Sequence, residues 1–196
     1  MTRRLLICAF GPFPGVAANP AEAIARALGR RRWPGDIAVT VEILPTRWAV
    51  LRRLPALLAR HAPDGVLLLG VAARRRALCV ETRAVNRATD RPDAIRAHPD
   101  HHQLVAGGPA VRRTTARPRP LLAAARAAFT PARLSRDAGR YLCNASYFIA
   151  LESLPAVPVV FVHVPGLPRG SPRPPAGLTR ACAGVVTALA AQARRS

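Results

Sequence analysis

The chain contains no lysine, so all 30 of its basic residues other than histidine are arginine, in 196 residues. Aromatic residues make up only 5%, too few for the stacking platforms on which single-stranded nucleic acid is held. A formal net charge of +20 and a pI near 11.9 would ordinarily point to nucleic acid or an anionic surface. Here the arginines spread along the whole chain, and alanine and proline are also heavily used. A genome-wide nucleotide bias produces that pattern without any binding role, which argues against nucleic acid as a partner.

Other absences narrow the field further. No stretch reaches the roughly 20 apolar residues of a membrane-spanning helix, so no membrane partner is expected. Arg3-Arg4 followed by Leu5–Phe10 resembles a secretory leader, but Gly11-Pro12 ends the run with no small-x-small cleavage site. A buried first strand and a cytoplasmic location are the expectation. The four cysteines, Cys8, Cys79, Cys143 and Cys182, form no CxxC pair, which disfavours zinc sites and disulfide frameworks. Neither GxGxxG nor GxxxxGK[ST] occurs, so no nucleotide cofactor is implied. His98, Asp100, His101 and His102 cluster without helical spacing and read as a solvated loop, not a metal site. Arg74-Arg75-Arg76 reads as a solvated turn.

What is present is a half-apolar chain, 50% hydrophobic with mean hydropathy +0.11, long enough for one domain over 1–196 with a substantial core. Residues 3–9, 37–44, 65–70, 77–85, 131–135 and 157–163 read as strands. The run Gly65-Val66-Leu67-Leu68-Leu69-Gly70 has the continuous apolar character of a central parallel strand. Helices are expected over 21–28, behind an Asn19-Pro20 cap, and over 48–60, 121–129, 143–154 and 177–194. Residues 87–120 dissolve into arginine, proline, histidine and aspartate and read as a long surface excursion with room for short strands. Strands alternating with helices predict an α/β fold, a three-layer α/β/α sandwich with a mostly parallel central sheet.

Two segments carry chemistry. Gly139-Arg140-Tyr141-Leu142-Cys143-Asn144 puts a thiol at the start of a helix, and Phe161-Val162-His163-Val164-Pro165 puts an imidazole at the end of the next strand. Only a thiolate attacks, and thiols in general ionise more readily at a helix N-terminus beside a histidine. In a parallel sheet, sites form at the carboxyl ends of strands.

These segments stand in order with four others: Phe10-Gly11-Pro12-Phe13-Pro14-Gly15 with Asn19-Pro20, Val80-Glu81-Thr82-Arg83-Ala84-Val85-Asn86, Asp90-Arg91-Pro92-Asp93, and Gly107-Gly108-Pro109-Ala110. Together they resemble the pyroglutamyl peptidase I family of cytoplasmic cysteine peptidases over nearly the whole chain. The resemblance implies a Cys143–His163–Glu81 triad and release of N-terminal pyroglutamate from peptides with a blocked N-terminus. It also implies no metal or organic cofactor, and assembly as dimers or tetramers. It gives Arg91, beside the backbone N–H of Cys143, as an oxyanion donor. It places Phe10, Phe13, Val71, Tyr141 and Leu142 around the acyl group.

Three departures from the family pattern bear on specificity. Gly11 stands where an acidic residue is usual, Val71 where a polar residue, often glutamine, is common, and Ser135-Arg136-Asp137 where Ser-Asn is usual. Two other readings remain: the same thiol chemistry on another N-acyl or small amide substrate, and a non-catalytic basic protein that binds RNA or anions on this fold.

Overall fold

The computed structural model describes residues 2–12, 19–128, 131–167, 171 and 173–193. Its elements follow in the order β1 (Arg3–Phe10), α1 (Pro20–Gly29), β2 (Ile37–Leu44), α2 (Val50–His61), β3 (Gly65–Ala72), β4 (Leu78–Glu81), β5 (Arg83–Val85), β6 (Val111–Arg113), α3 (Pro118–Ala127), β7 (Ala132–Ser135), α4 (Leu142–Ser153), β8 (Val159–Pro165) and α5 (Ala176–Ala190). Six strands form one sheet in the order β2-β1-β3-β8-β4-β7. The β1, β2, β3 and β8 pairings are parallel, and β4 pairs antiparallel with β8 and parallel with β7. The fold is thus a mostly parallel α/β sheet covered by helices on both faces.

The apolar strands account for the layering. Residues 5–10 of β1 and 65–70 of β3 are buried without interruption, as expected for strands covered on two sides. Side chains alternate along each strand. One face (Leu5, Ile7, Leu67, Leu69, Leu78, Val80, Val160, Val162) packs on α1, α3 and α5. The other (Leu6, Cys8, Phe10, Leu68, Phe161) packs on α2 and α4. The same alternation turns Cys79 and Glu81 of β4, and His163 of β8, toward the α4 side.

Local signals explain the helix ends. Asn19 caps α1 by accepting from the Ala21 N–H at 3.0 Å, with Pro20 in the first turn. The α2 helix stops at Ala62, which adopts a left-handed conformation (φ 40°) before Pro63. The α3 helix begins earlier than periodicity suggests, because Pro118 and Pro120 sit in its first turn, where no N–H is needed. Its expected end at Phe129, and the expected end of the last helix at residue 194, lie outside the described residues.

The strand expected over 77–85 is broken at Thr82. Its first part joins the main sheet, and its second, β5, pairs antiparallel with β6 as a separate ribbon. The Thr82 N–H and hydroxyl both turn back to the Ser135 carbonyl, at 2.7 and 2.9 Å. The 87–120 excursion is therefore partly ordered by pairing. It is also tied down by Asn86, whose side chain bonds both the N–H and the C=O of Val105, each at 2.9 Å. Asp100 pairs with Arg52 at 2.7 Å and His98 with Asp90 at 2.6 Å. Among the described residues, no three His, Cys, Asp or Glu side chains are grouped so as to hold a metal.

Candidate active site

Sheet register brings the chemistry to one place. Gly70 of β3 and Cys79 of β4 flank His163 of β8 in adjacent strands. Glu81 lies two residues beyond Cys79 on the same face. Its Oε1 is 2.8 Å from His163 Nδ1. That bond spends Nδ1, so Nε2 is the imidazole nitrogen left for the thiol. Glu81 is fully buried and His163 is 5% exposed, so the pair is shielded from water. Phe161 packs on the imidazole with ring centroids 4.6 Å apart.

Cys143 is the second residue of α4, with Tyr141 at the N-cap. The first N–H groups of a helix have no partner within it. The backbone donors beside the sulfur therefore form part of an anion-friendly helix end. Cys143 is partly exposed, whereas Cys8, Cys79 and Cys182 are buried. Burial, reinforced for Cys8 by the charge of Glu42, pushes the thiols of Cys8 and Cys182 up to about 12. For His163, burial acts downward. Hydrogen bonding to Cys143 and Glu81, with the negative charge on both, outweighs it and raises the pKa to about 9. The imidazole is therefore held as a cation at neutral pH.

Two glycines serve this arrangement, one by leaving space and one by its backbone conformation. A Cβ on Gly70 would lie 2.8 Å from Cys143 Sγ and 2.7 Å from Phe161 Cζ. A glycine at the carboxyl end of an apolar strand is the sequence signal for such a close approach. Gly139 adopts φ 78°, and its N–H donates to Asp137 Oδ1 at 3.0 Å, turning the chain toward α4. Asn144, buried behind the thiol, bonds the N–H and C=O of Val85 and the C=O of Arg87, at 2.8 to 3.0 Å. It joins the helix start to the ribbon, a role that sequence reasoning missed.

The sulfur faces a cleft of about 160 Å³ lined by Phe10, Val71, Arg91, Tyr141, Leu142, Cys143 and His163, with Asn19, Thr46, Gly70 and Ala138. Of the residues expected around an acyl group, Phe10, Val71, Tyr141 and Leu142 are here, and Phe13 lies outside the described residues. Arg91 is exposed on the cleft wall, its guanidinium stacked 5.0 Å from the Tyr141 ring centre. Asp93 fixes the loop that carries Arg91: its carboxylate accepts from the N–H groups of Trp48, Ile95 and Ala97. Tyr141 is braced by an edge contact with Trp48 and by donating to the Pro92 carbonyl at 3.0 Å.

One expectation needs correction. Arg74 and Arg76 are exposed, but Arg75 is not part of a purely solvated turn. Its guanidinium reaches inward to Glu81 Oε1 at 2.6 Å. Nothing in a chain with so many arginines distinguishes it from its neighbours. The register of the β3–β4 turn turns it inward.

A buried carboxylate–imidazole pair beside a helix-start thiol, on a doubly covered α/β sheet, is the constellation of a cysteine hydrolase. The family model of pyroglutamyl peptidase matches residues 3–193, and the chain belongs to that family. The pyrrolidone-carboxylate peptidase of Gloeobacter violaceus is 36% identical over 88% of this chain and 86% of its own length. Two solved structures superpose over nearly the whole chain. A mutant pyrrolidone carboxyl peptidase from the hyperthermophile Pyrococcus furiosus has a TM-score of 0.86 at 25% identity, covering 96% of this chain and 99% of its own. Pyroglutamyl peptidase I from Bacillus amyloliquefaciens has 0.84 at 26% identity, covering 97% and 96%.

Proposed function

We propose that this chain hydrolyses N-terminal pyroglutamyl peptide bonds, with Cys143 as nucleophile, His163 as acid and base, and Glu81 as the group that orients the imidazole. The 2.8 Å bond from His163 Nδ1 to buried Glu81, beside Cys143 at the mouth of the cleft, is the observation that carries this reading. The proton the thiol gives up resides on His163. The sulfur attacks the pyroglutamyl carbonyl carbon, and the carbonyl π pair moves to oxygen. On collapse the C–N bond breaks, and His163 passes its proton to the leaving amine. Water then adds to the thioester carbonyl as His163 takes its proton; on collapse the C–S bond breaks, pyroglutamate is released and the Cys143 thiolate is regenerated beside the His163 imidazolium. Glu81 holds one tautomer and stabilises the imidazolium throughout. The developing oxyanion is met by the Cys143 backbone N–H at the start of α4 and by Arg91 on the cleft wall.

The cleft suits a small, uncharged ring. Phe10, Val71, Tyr141 and Leu142 supply apolar walls. The side-chain amide of Asn19 is committed to the Phe10 and Gly11 carbonyls, at 2.7 and 3.1 Å, and the Thr46 hydroxyl to Gly11 at 3.1 Å. Pairing of β1 with β3 ends at Ala9–Leu69, while β3 runs on to Ala72. Beyond Leu69 the β3 edge at Gly70 and Val71 has no strand partner on the β1 side and lines the cleft, so backbone groups there are placed to meet the lactam amide. Val71 supplies no side-chain hydrogen bond there.

No described helix is long and apolar enough to cross a membrane. The four free cysteines fit a reducing, cytoplasmic setting. Assembly as a dimer or tetramer is part of the same proposal and is read by light scattering on the purified protein. The test of function is a fluorogenic pyroglutamyl amide, with other N-acyl amides alongside. Pyroglutamyl turnover should be preferred, abolished in Cys143→Ala, and lost after one equivalent of iodoacetamide that mass spectrometry finds on Cys143. Turnover retained in Cys143→Ala overturns the nucleophile. Preference for another acyl group moves the substrate class. Loss of all turnover, with steeply salt-dependent RNA binding in its place, would favour the binding-protein reading.

A further inference from the structure

Glu81 Oε1 accepts two hydrogen bonds, from His163 Nδ1 at 2.8 Å and from Arg75 Nη1 at 2.6 Å, and Oε2 is buried without a partner among the described residues. An uncompensated buried carboxylate is costly. The charge count at this site makes the compensation specific. When the thiol proton is on His163 there are two anions, sulfur and carboxylate, and the imidazolium balances only one. Arg75 supplies the second cation. Among the described residues it is the one permanently charged side chain paired with Glu81.

Arg75 also has a mechanical connection to the nucleophile. Its Nη2 donates to the Asp137 carbonyl at 2.5 Å, and Nη1 lies 3.4 Å from Ser135 Oγ. The Asp137 N–H donates to that hydroxyl, and the Asp137 carboxylate takes the Gly139 N–H, four residues before Cys143. One guanidinium therefore joins the β3–β4 turn, the buried carboxylate and the loop that delivers the helix start. The Arg75 side chain is 21% exposed, enough to limit its desolvation while its fork stays fixed.

We infer that Arg75 is a positioning residue of the catalytic cluster. It holds the Glu81 carboxylate in line with His163, balances its charge, and anchors the approach to Cys143. The inference rests on the triad reading above. The titratable groups that face Glu81 are His163 on β8, Tyr147 on α4 and Arg75; Cys143 on α4 joins them through His163 and Cys79 on β4 through Arg75, with Arg133 of β7 reaching Cys79 Sγ at 3.5 Å. Removing a cation from this cluster makes every proton in it harder to lose.

The experiment compares wild type, Arg75→Met and Arg75→Lys. Two readouts are followed over pH: kcat and KM on a pyroglutamyl amide, and the rate of iodoacetamide alkylation of Cys143 by mass spectrometry. Arg75→Met should lower kcat by about 30-fold with KM within about twofold, and should move the acid limb and the alkylation midpoint up by about one pH unit. Arg75→Lys keeps the charge without the fork. It should leave both midpoints at their wild-type positions and recover part of kcat. A Met variant that loses kcat evenly at every pH, or a Lys variant whose midpoints shift as far as those of Met, overturns the inference. Should circular dichroism show the Met variant unfolded, the Lys midpoints decide alone. Wild-type protein whose Cys143 reacts no faster at neutral pH than a free thiol overturns the triad reading and, with it, this inference.

Discussion

The cluster of Cys143, His163 and Glu81 and the cleft beside it meet at one sulfur atom but are built differently. The cluster hangs on strands and a helix start. Its positions follow from sheet register, its floor is the buried ring of Phe161, and its carboxylate is fully enclosed. The cleft wall comes largely from strand ends and loops, with Arg91 exposed and Tyr141 braced by single contacts to Trp48 and Pro92. A site fixed by register tolerates little displacement, because each neighbour is itself pinned by pairing. A wall made by loops can change composition without disturbing the chemistry. That difference lets a residue such as Val71 on the cleft wall change without moving Cys143, His163 and Glu81.

The strongest test of this contrast is His163→Ala, which removes both the proton carrier and the partner of Glu81. It should cut kcat/KM on a pyroglutamyl amide by at least about 10³-fold. In the wild type, the His163 pKa is raised to about 9. The imidazolium is therefore present through neutral pH and is lost as pH rises through that value, so the alkaline limb of kcat/KM should fall near 9. A limb near 6.5 would remove the argument that Cys143 and Glu81 stabilise the cation.

Next in size is Gly70→Ala. Its methyl would lie 2.8 Å from Cys143 Sγ, and displacement of a reacting atom by an ångström costs about 10²-fold. Loss of kcat without loss of folding is expected. Unchanged kinetics would mean that the cluster can shift as freely as the cleft. Val71→Gln probes the other side of the comparison. Restoring a side-chain hydrogen bond toward the lactam should raise kcat/KM for pyroglutamyl substrates by roughly tenfold, within the ~1–3 kcal/mol of such a bond. A loss would indicate that Val71 packs on the ring and that the cleft has become specialised for a different acyl group. The smallest effect is on stability. Tyr147 is fully buried, and its hydroxyl donates to the Glu81 backbone carbonyl at 3.1 Å. Tyr147→Phe should cost about 1–2 kcal/mol in a denaturant melt. An unchanged midpoint would show that Glu81 is held by its side-chain contacts alone.

The two regions also differ in how much the sequence reveals of them. The apolar runs at 5–10 and 65–70, the Asn19-Pro20 cap and the helix starting near Cys143 are local patterns, and each appears in the structure within a residue or two of the expected place. The break at Thr82 was hidden, because residues 78–85 contain no glycine or proline to mark it and the turn comes from distant contacts with Ser135. The role of Asn144 was hidden for the same reason, since its partners lie at residues 85–87, and so was half of the role of Asp93, which caps its own turn at Ile95 and Ala97 but also reaches Trp48.

The amino-acid sequence by itself determined that this is an α/β chain with a glutamate on a strand, then a thiol at a helix start, then an imidazole at a strand end. Periodicity, caps and motifs are short-range properties. Only the tertiary structure decided that β4 runs antiparallel beside β8, which carries Glu81 to His163, and that Arg75 rather than Arg74 or Arg76 turns inward to meet them. Strand order and register are set by which faces bury together across the whole sheet, and no local stretch of the chain contains that information.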